Sequence, residues 1–178
     1  MQRRIHLAGE NVDAFGCFLQ FQYTRDYASK PSESSNQPKQ DAEEVDDSGE
    51  QLLKHARVYT LAEKLGIPAL KILAHNKIHR VNSSPRGELE YARYVYTHTT
   101  TEDGTLRKPV ASFWSKTPQR HGVEEEFKKL CLEAPEFCYD VLALVLKTKE
   151  KRGQEKTEPE SGTRTGRKRQ RVVSKQIC

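Results

Sequence analysis

Apolar positions fall into bursts separated by polar stretches, and within the bursts they recur at intervals of three and four residues. A short stretch around Ile5 and Leu7 predicts one strand, closed by a turn at Gly9-Glu10-Asn11. From Val12 the interval becomes helical: Phe15, Phe18, Leu19, Gln22 and Tyr23 continue the pattern, with Asn11 or Asp13 available as the cap. Gly16 inside this helix costs about 1 kcal/mol relative to alanine, and close packing against it is the expected compensation.

The clearest pattern covers residues 51–80. Leu52, Ala56, Tyr59, Ala62 and Leu65 form one helical stripe, widened by Leu53 and Leu61. Gly66 stands where a left-handed C-cap belongs, and Pro68 where a first-turn proline opens the next helix. Leu70, Leu73, Ala74, Lys77 and Ile78 make a second stripe, so the two helices form a hairpin turning at Gly66-Ile67. A loop over 82–85 follows, with Ser84 as N-cap and Pro85 at the first position of a helix that buries Leu89, Ala92, Val95 and Tyr96. Glu102-Asp103-Gly104 is a turn. A helix over 106–117 then carries Val110, Phe113 and Trp114, with Pro109 in its first turn, and Pro118 and Gly122 end it. Residues 123–132 and 135–149 complete the series. The body is mainly α, with no internal repeat.

Composition divides the chain. Only 35% of the 178 residues are hydrophobic, and residues 29–50 hold two of these while 151–178 hold four. Residues 29–50 cannot offset their own ordering entropy, which predicts a disordered acidic loop. Residues 150–178 predict a disordered basic tail. The net charge of +5 is therefore uneven, with an acidic insertion on one side of a mildly basic body and a basic tail on the other. No apolar run approaches the ~18–20 residues of a membrane helix, and Glu10, Asn11 and Asp13 interrupt any signal-peptide core. The four cysteines, Cys17, Cys131, Cys138 and Cys178, show no CxxC spacing and read as small apolar thiols in a reducing compartment. These features predict an intracellular protein, in nucleus or cytoplasm.

Few residues in the chain stand in a pattern that chemistry requires. Phosphate loops need glycine so that backbone amides can reach the anion, and neither GxGxxG nor GxxxxGK occurs. His75 and His79 are four apart on one helix, but Asn76 stands where a zincin has its glutamate base, so two polar histidines on an exposed face are expected rather than a metal site. His55 has no nucleophile at recognisable spacing and reads as structural. Glu124, Glu125 and Glu126 point in different directions around a helix and suit a solvated first turn. No catalytic residue, cofactor or metal ligand is assigned, and the chain is expected not to be an enzyme. Arg167, Lys168, Arg169 and Arg171 form a basic cluster of the kind read by nuclear import receptors. Without interleaved aromatics, any nucleic-acid contact there would be weak and salt-sensitive.

The order of these segments resembles a known family. FGCFLQFQYTRDY followed by LLKHARVYTLAEKLGIPALKILAHNKI is similar to the second half of BTB/POZ domains, in particular the single-domain versions of filamentous fungi. In those domains an aromatic-rich helix ends in a YTGDY-like turn, here 23–27 with Arg25 in place of glycine. The next helix reads close to HARVYxLAxKYGI, here 55–67 with Leu65 in the tyrosine position. YVYTHTTTEDGTLR, over 94–107, is similar to the helix and turn that follow. The resemblance covers roughly 3–149 and begins in the middle of the family's domain, whose first strands and dimer-interface helices have no counterpart here.

The resemblance implies a mainly α chain: the helical second half of an α+β BTB/POZ fold, with one short N-terminal strand. A partial domain over 3–80 would be interrupted by the acidic loop 29–50, followed by a helical extension over 81–149 and a disordered tail over 150–178. It implies a non-enzymatic interaction module and a protein partner. Adaptor roles for a cullin-based ubiquitin ligase or a transcriptional complex, or self-association, all follow from it. The helix over 11–23 and the hairpin over 52–80 would carry the surface, and a half-domain should expose apolar area. The alternative is a nuclear protein associated with nucleic acid through its basic tail. No membrane contact is expected.

Overall fold

The computed structural model describes residues 9–28, 45–116 and 122–155. These form seven helices: α1 (Val12–Thr24), α2 (Glu50–Lys64), α3 (Pro68–Ile78), α4 (Pro85–His98), α5 (Gly104–Lys116), α6 (Glu124–Glu133) and α7 (Pro135–Glu155). The protein is mainly α, and among the described residues the only β pairing is a single parallel bridge between Asp46 and Ser83. The expected strand at Ile5 and Leu7 lies outside them. So does the cluster Arg167, Lys168, Arg169 and Arg171.

The α2–α3 hairpin is the centre of the molecule. Gly66 has φ +65°, and the Gly66 and Ile67 amides donate to the Glu63 and Ala62 carbonyls at 3.1 and 2.9 Å, which satisfies the orphan carbonyls at the end of α2. Leu52, Ala56, Tyr59 and Ala62 are buried as their spacing predicts. Leu65 is not: it sits at the C-cap, where the chain leaves the helical path, and is 37% exposed.

α1 and α4 pack on α2, and α5, α6 and α7 complete the body behind α4. One core runs through both halves. At the far end Trp114, Phe127, Phe137 and Tyr96 form an aromatic cluster with ring centroids 5.2–6.4 Å apart, an arrangement that adds to their area burial. Arg107, buried, ties three helices together. Its guanidinium donates to the Thr99 carbonyl at the end of α4 and to Glu136 on α7, and stacks 4.8 Å from the Tyr96 ring. It thereby satisfies a carbonyl that the end of a helix leaves unpaired.

Three expectations need correction. The composition predicts an acidic loop over 29–50; residues 29–44 lie outside the described residues, but 45–50 belong to the ordered body. The Asp46 carboxylate accepts from the Gly49 and Gln51 amides at 3.0 and 2.9 Å and from Leu52 at 3.4 Å, capping α2. The Asp46 backbone meanwhile pairs with Asn82 and Ser84. Gly49, with φ +74°, and Gly87 meet there so closely that a Cβ on Gly87 would lie 2.7 Å from the Asp46 carbonyl. The composition predicts a tail from 150, but α7 continues to Glu155. Finally, Pro109 lies inside α5 rather than in its first turn. The Asp103 carboxylate accepts from the Thr105 amide at 3.1 Å and starts the helix earlier than the apolar pattern indicates.

Candidate interaction surface

α1 is apolar on both faces. Its inner face, Ala14, Cys17 and Phe21, is buried against the hairpin, with Phe15 and Phe18 packed partly against the core. Its outer face carries Val12 at 83% exposed, Leu19 at 45% and Tyr23 at 88%. These three residues, with Gly16 between them, stand at i, i+4, i+7 and i+11, one stripe of a helix. Asp13, Gln20 and Gln22 flank this stripe on the exposed side, so it is a narrow apolar strip among polar residues. The described residues cover the other side of the helix.

Gly16 corrects an expectation. No atom of the described residues lies within 4 Å of where its Cβ would be, so its packing compensation is not within this body. The glycine leaves a flat spot in the exposed stripe, where another backbone can approach closely.

The surface is held in place from the C-terminal end of α1. Asn11 caps the start, its side chain accepting from the Ala14 amide at 3.0 Å. At the other end Arg25 adopts φ +60°, the left-handed conformation that favours glycine, and its amide donates to the Phe21 carbonyl at 2.9 Å. The chain then turns back onto the hairpin. Asp26 pairs with Lys77 at 2.9 Å. The Lys77 ammonium also donates to the Tyr27 carbonyl at 3.0 Å and lies 4.8 Å over the Tyr27 ring. The Tyr27 hydroxyl meets His55 Nδ1 at 2.9 Å in the interior. The Lys77 hydrogen bond holds the Asp26 carboxyl below its ordinary range. Burial, with Lys77 and Lys54 adding to it, pushes the His55 imidazole down to about 4, and burial raises the Tyr27 phenol. His55 is therefore a neutral interior ring holding Tyr27, which matches its structural reading.

A second apolar stripe runs along α7, where Tyr139, Leu142 and Leu146 are exposed, with Leu132 of α6 beside them in sequence and also exposed. Elsewhere, a polar cleft of about 500 Å³ is lined by Tyr59, Glu63, Lys64, Lys71, His98 and Asp103, among others. Its charged groups are largely engaged: Lys71 with Glu63, Lys64 with Glu10, and Tyr59 with Asp103. His75 and His79 face one another with Nε2 atoms 3.0 Å apart. Among the described residues no group of three or more His, Cys, Asp or Glu side chains gathers to hold a metal ion. Cys17 and Cys138 are free thiols, and burial raises that of Cys17. No described helix is long and apolar enough to cross a membrane.

No protein-family model matches the chain, and neither a curated protein nor a solved structure does.

Proposed function

We propose that the chain is a non-enzymatic protein–protein interaction module of BTB/POZ type, an adaptor that uses the outer face of α1 and the adjoining hairpin to hold a protein partner. The observation that carries this reading is the two-faced hydrophobicity of α1, one side buried and the other bearing Val12, Leu19 and Tyr23 in a single exposed stripe. The left-handed backbone at Arg25 adds support, because the resemblance places a glycine at that position of the turn. The finer roles the resemblance implies are recruitment to a cullin-based ubiquitin ligase and assembly of a transcriptional complex.

Size-exclusion chromatography with light scattering, on the purified chain alone and mixed with a cullin N-terminal domain, tests this. The expected result is a complex or a dimer that Leu19→Asp abolishes while the variant keeps its thermal stability, since Leu19 is 45% exposed. A chain that stays monomeric at high concentration and forms no cullin complex would count against the adaptor role.

A further inference from the structure

A cavity of about 190 Å³ opens between α2, the end of α3, α4 and the middle of α5. Leu52, Ile78, Val81, Pro109, Val110 and Phe113 make most of its wall apolar. Two side chains of α4, three residues apart and so on one face, interrupt it: Glu88 and Tyr91.

Neither the Glu88 carboxyl nor the Tyr91 hydroxyl has a hydrogen-bond or ion-pair partner among the described residues, and neither is sealed from solvent, so both are accessible to a ligand in the cavity. The charge around them has one sign. Asp46 approaches from the segment before α2, and no lysine or arginine lines the cavity. His79, from the end of α3, is the other titratable group in the lining, and its Nε2 is engaged with His75. α5 contributes only Pro109, Val110 and Phe113. Burial, with Asp46 adding to it, pushes Glu88 up to about 7, and burial raises the Tyr91 phenol. A carboxyl in apolar surroundings is costly until something positive meets it, and aromatic faces attract the same kind of group. An anionic ligand would meet Glu88 and Asp46 together and be repelled.

We propose that this cavity binds a primary ammonium group carried on a short alkyl chain. Glu88 is its counter-ion, Tyr91 an additional acceptor, and the Leu52, Val81 and Val110 side chains enclose the alkyl part. The ammonium belongs either to a free amine or to the end of a lysine side chain, and both present the same chemistry to the site. The cavity takes Leu52, Ile78 and His79 from the hairpin but no residue of α1, and its ligand chemistry does not rest on the adaptor reading.

The test is an NMR titration of the full chain with n-butylammonium chloride, beside n-butanol as the uncharged isostere, at constant ionic strength. Saturable shifts in the Leu52, Val81 and Val110 methyl groups are expected from the ammonium, with a much weaker response to the alcohol. Only the ionised carboxyl is competent, so binding should be about tenfold weaker at pH 6 than at pH 8. Glu88→Gln should weaken the ammonium by about ten- to a hundredfold, the usual value of a charge-assisted contact, and leave n-butanol unchanged. Equal binding of both probes, tighter binding at pH 6, or no saturable shift at millimolar ammonium would overturn the proposal. The pH comparison uses the unaltered chain, so it decides the matter even if the variant folds poorly. A parallel titration with Nα-acetyl-lysine N-methylamide separates the sources: binding like that of butylammonium assigns the site to lysine side chains, and binding of butylammonium alone assigns it to free amines.

Discussion

Glu88→Gln should change the shape of the stability–pH curve, because a buried histidine and a half-buried carboxyl titrate in opposite senses in this fold. His55 moves from an ordinary 6.5 down to about 4 on folding. Its neutral form is favoured in the folded state, so its contribution is complete above pH 6.5 and is lost as pH falls toward 4. Glu88 moves the other way, from 4.5 up to about 7. Its contribution is complete below pH 4.5 and is lost as pH rises toward 7. At ~1.4 kcal/mol per pH unit, each is worth about 3 kcal/mol at its extreme, and the partial exposure of Glu88 reduces its share to about 2 kcal/mol. Between pH 4.5 and 6.5 the slopes oppose. Removing the ionisable group at Glu88 unmasks His55, so the variant should gain stability over the native chain as pH rises, from near zero at pH 4.5 to about 2 kcal/mol at pH 7. Urea unfolding at several pH values, followed by fluorescence of the buried Trp114, the one tryptophan in the chain, measures this directly. A difference between the two proteins that stays constant across the range would refute the assignment of Glu88 as a half-buried, raised carboxyl.

Substitutions at three further positions test the local arguments. Asp46→Ala removes the acceptor for three amides at the start of α2 and should lower stability by about 1–2 kcal/mol, with Asp46→Asn losing less, as denaturant midpoints will show. Arg25→Gly releases a left-handed non-glycine residue. It should raise the melting temperature by a few degrees, about 0.5–1 kcal/mol, and a fall would mean that the Arg25 side chain matters more than its backbone. Gly16→Ala meets no atom of the described residues and should stabilise the isolated chain by about 1 kcal/mol while weakening partner binding, so thermal melts and binding need to be read together.

Much of this architecture is legible from the chain alone. The stripe Leu52, Ala56, Tyr59, Ala62, the left-handed Gly66 and the first-turn Pro68 define the hairpin, because each depends on neighbours within a turn or two. Ser84 and Pro85 announce α4 for the same reason. The Asp46 cap is hidden because it lies at the edge of a polar, acidic stretch, and its value comes from pairing with Asn82 and Ser84 more than thirty residues away. Composition describes such a stretch by its average and misses the one residue that is tied down. Glu88 and Tyr91 look like ordinary helix residues, and only the packing of α5 across them makes a cavity. Arg107 reads as a surface cation until Thr99, Tyr96 and Glu136 surround it. The helical pattern Phe15, Phe18, Leu19, Gln22 and Tyr23 marks α1 as a helix but not its packed side: Ala14, Cys17 and Phe21 are the buried residues, and that depends on how α1 meets the hairpin.

The account rests on α1 presenting its outer stripe to another protein, and a photo-crosslinking residue placed at Tyr23 in living cells tests that most directly. The control is the same residue at Lys108, an exposed position on α5. The account predicts a discrete adduct of higher mass from Tyr23 and none from Lys108, with the adduct's mass spectrum identifying a second copy, a cullin or another protein. No discrete adduct at Tyr23, or the same products from both positions, would contradict it.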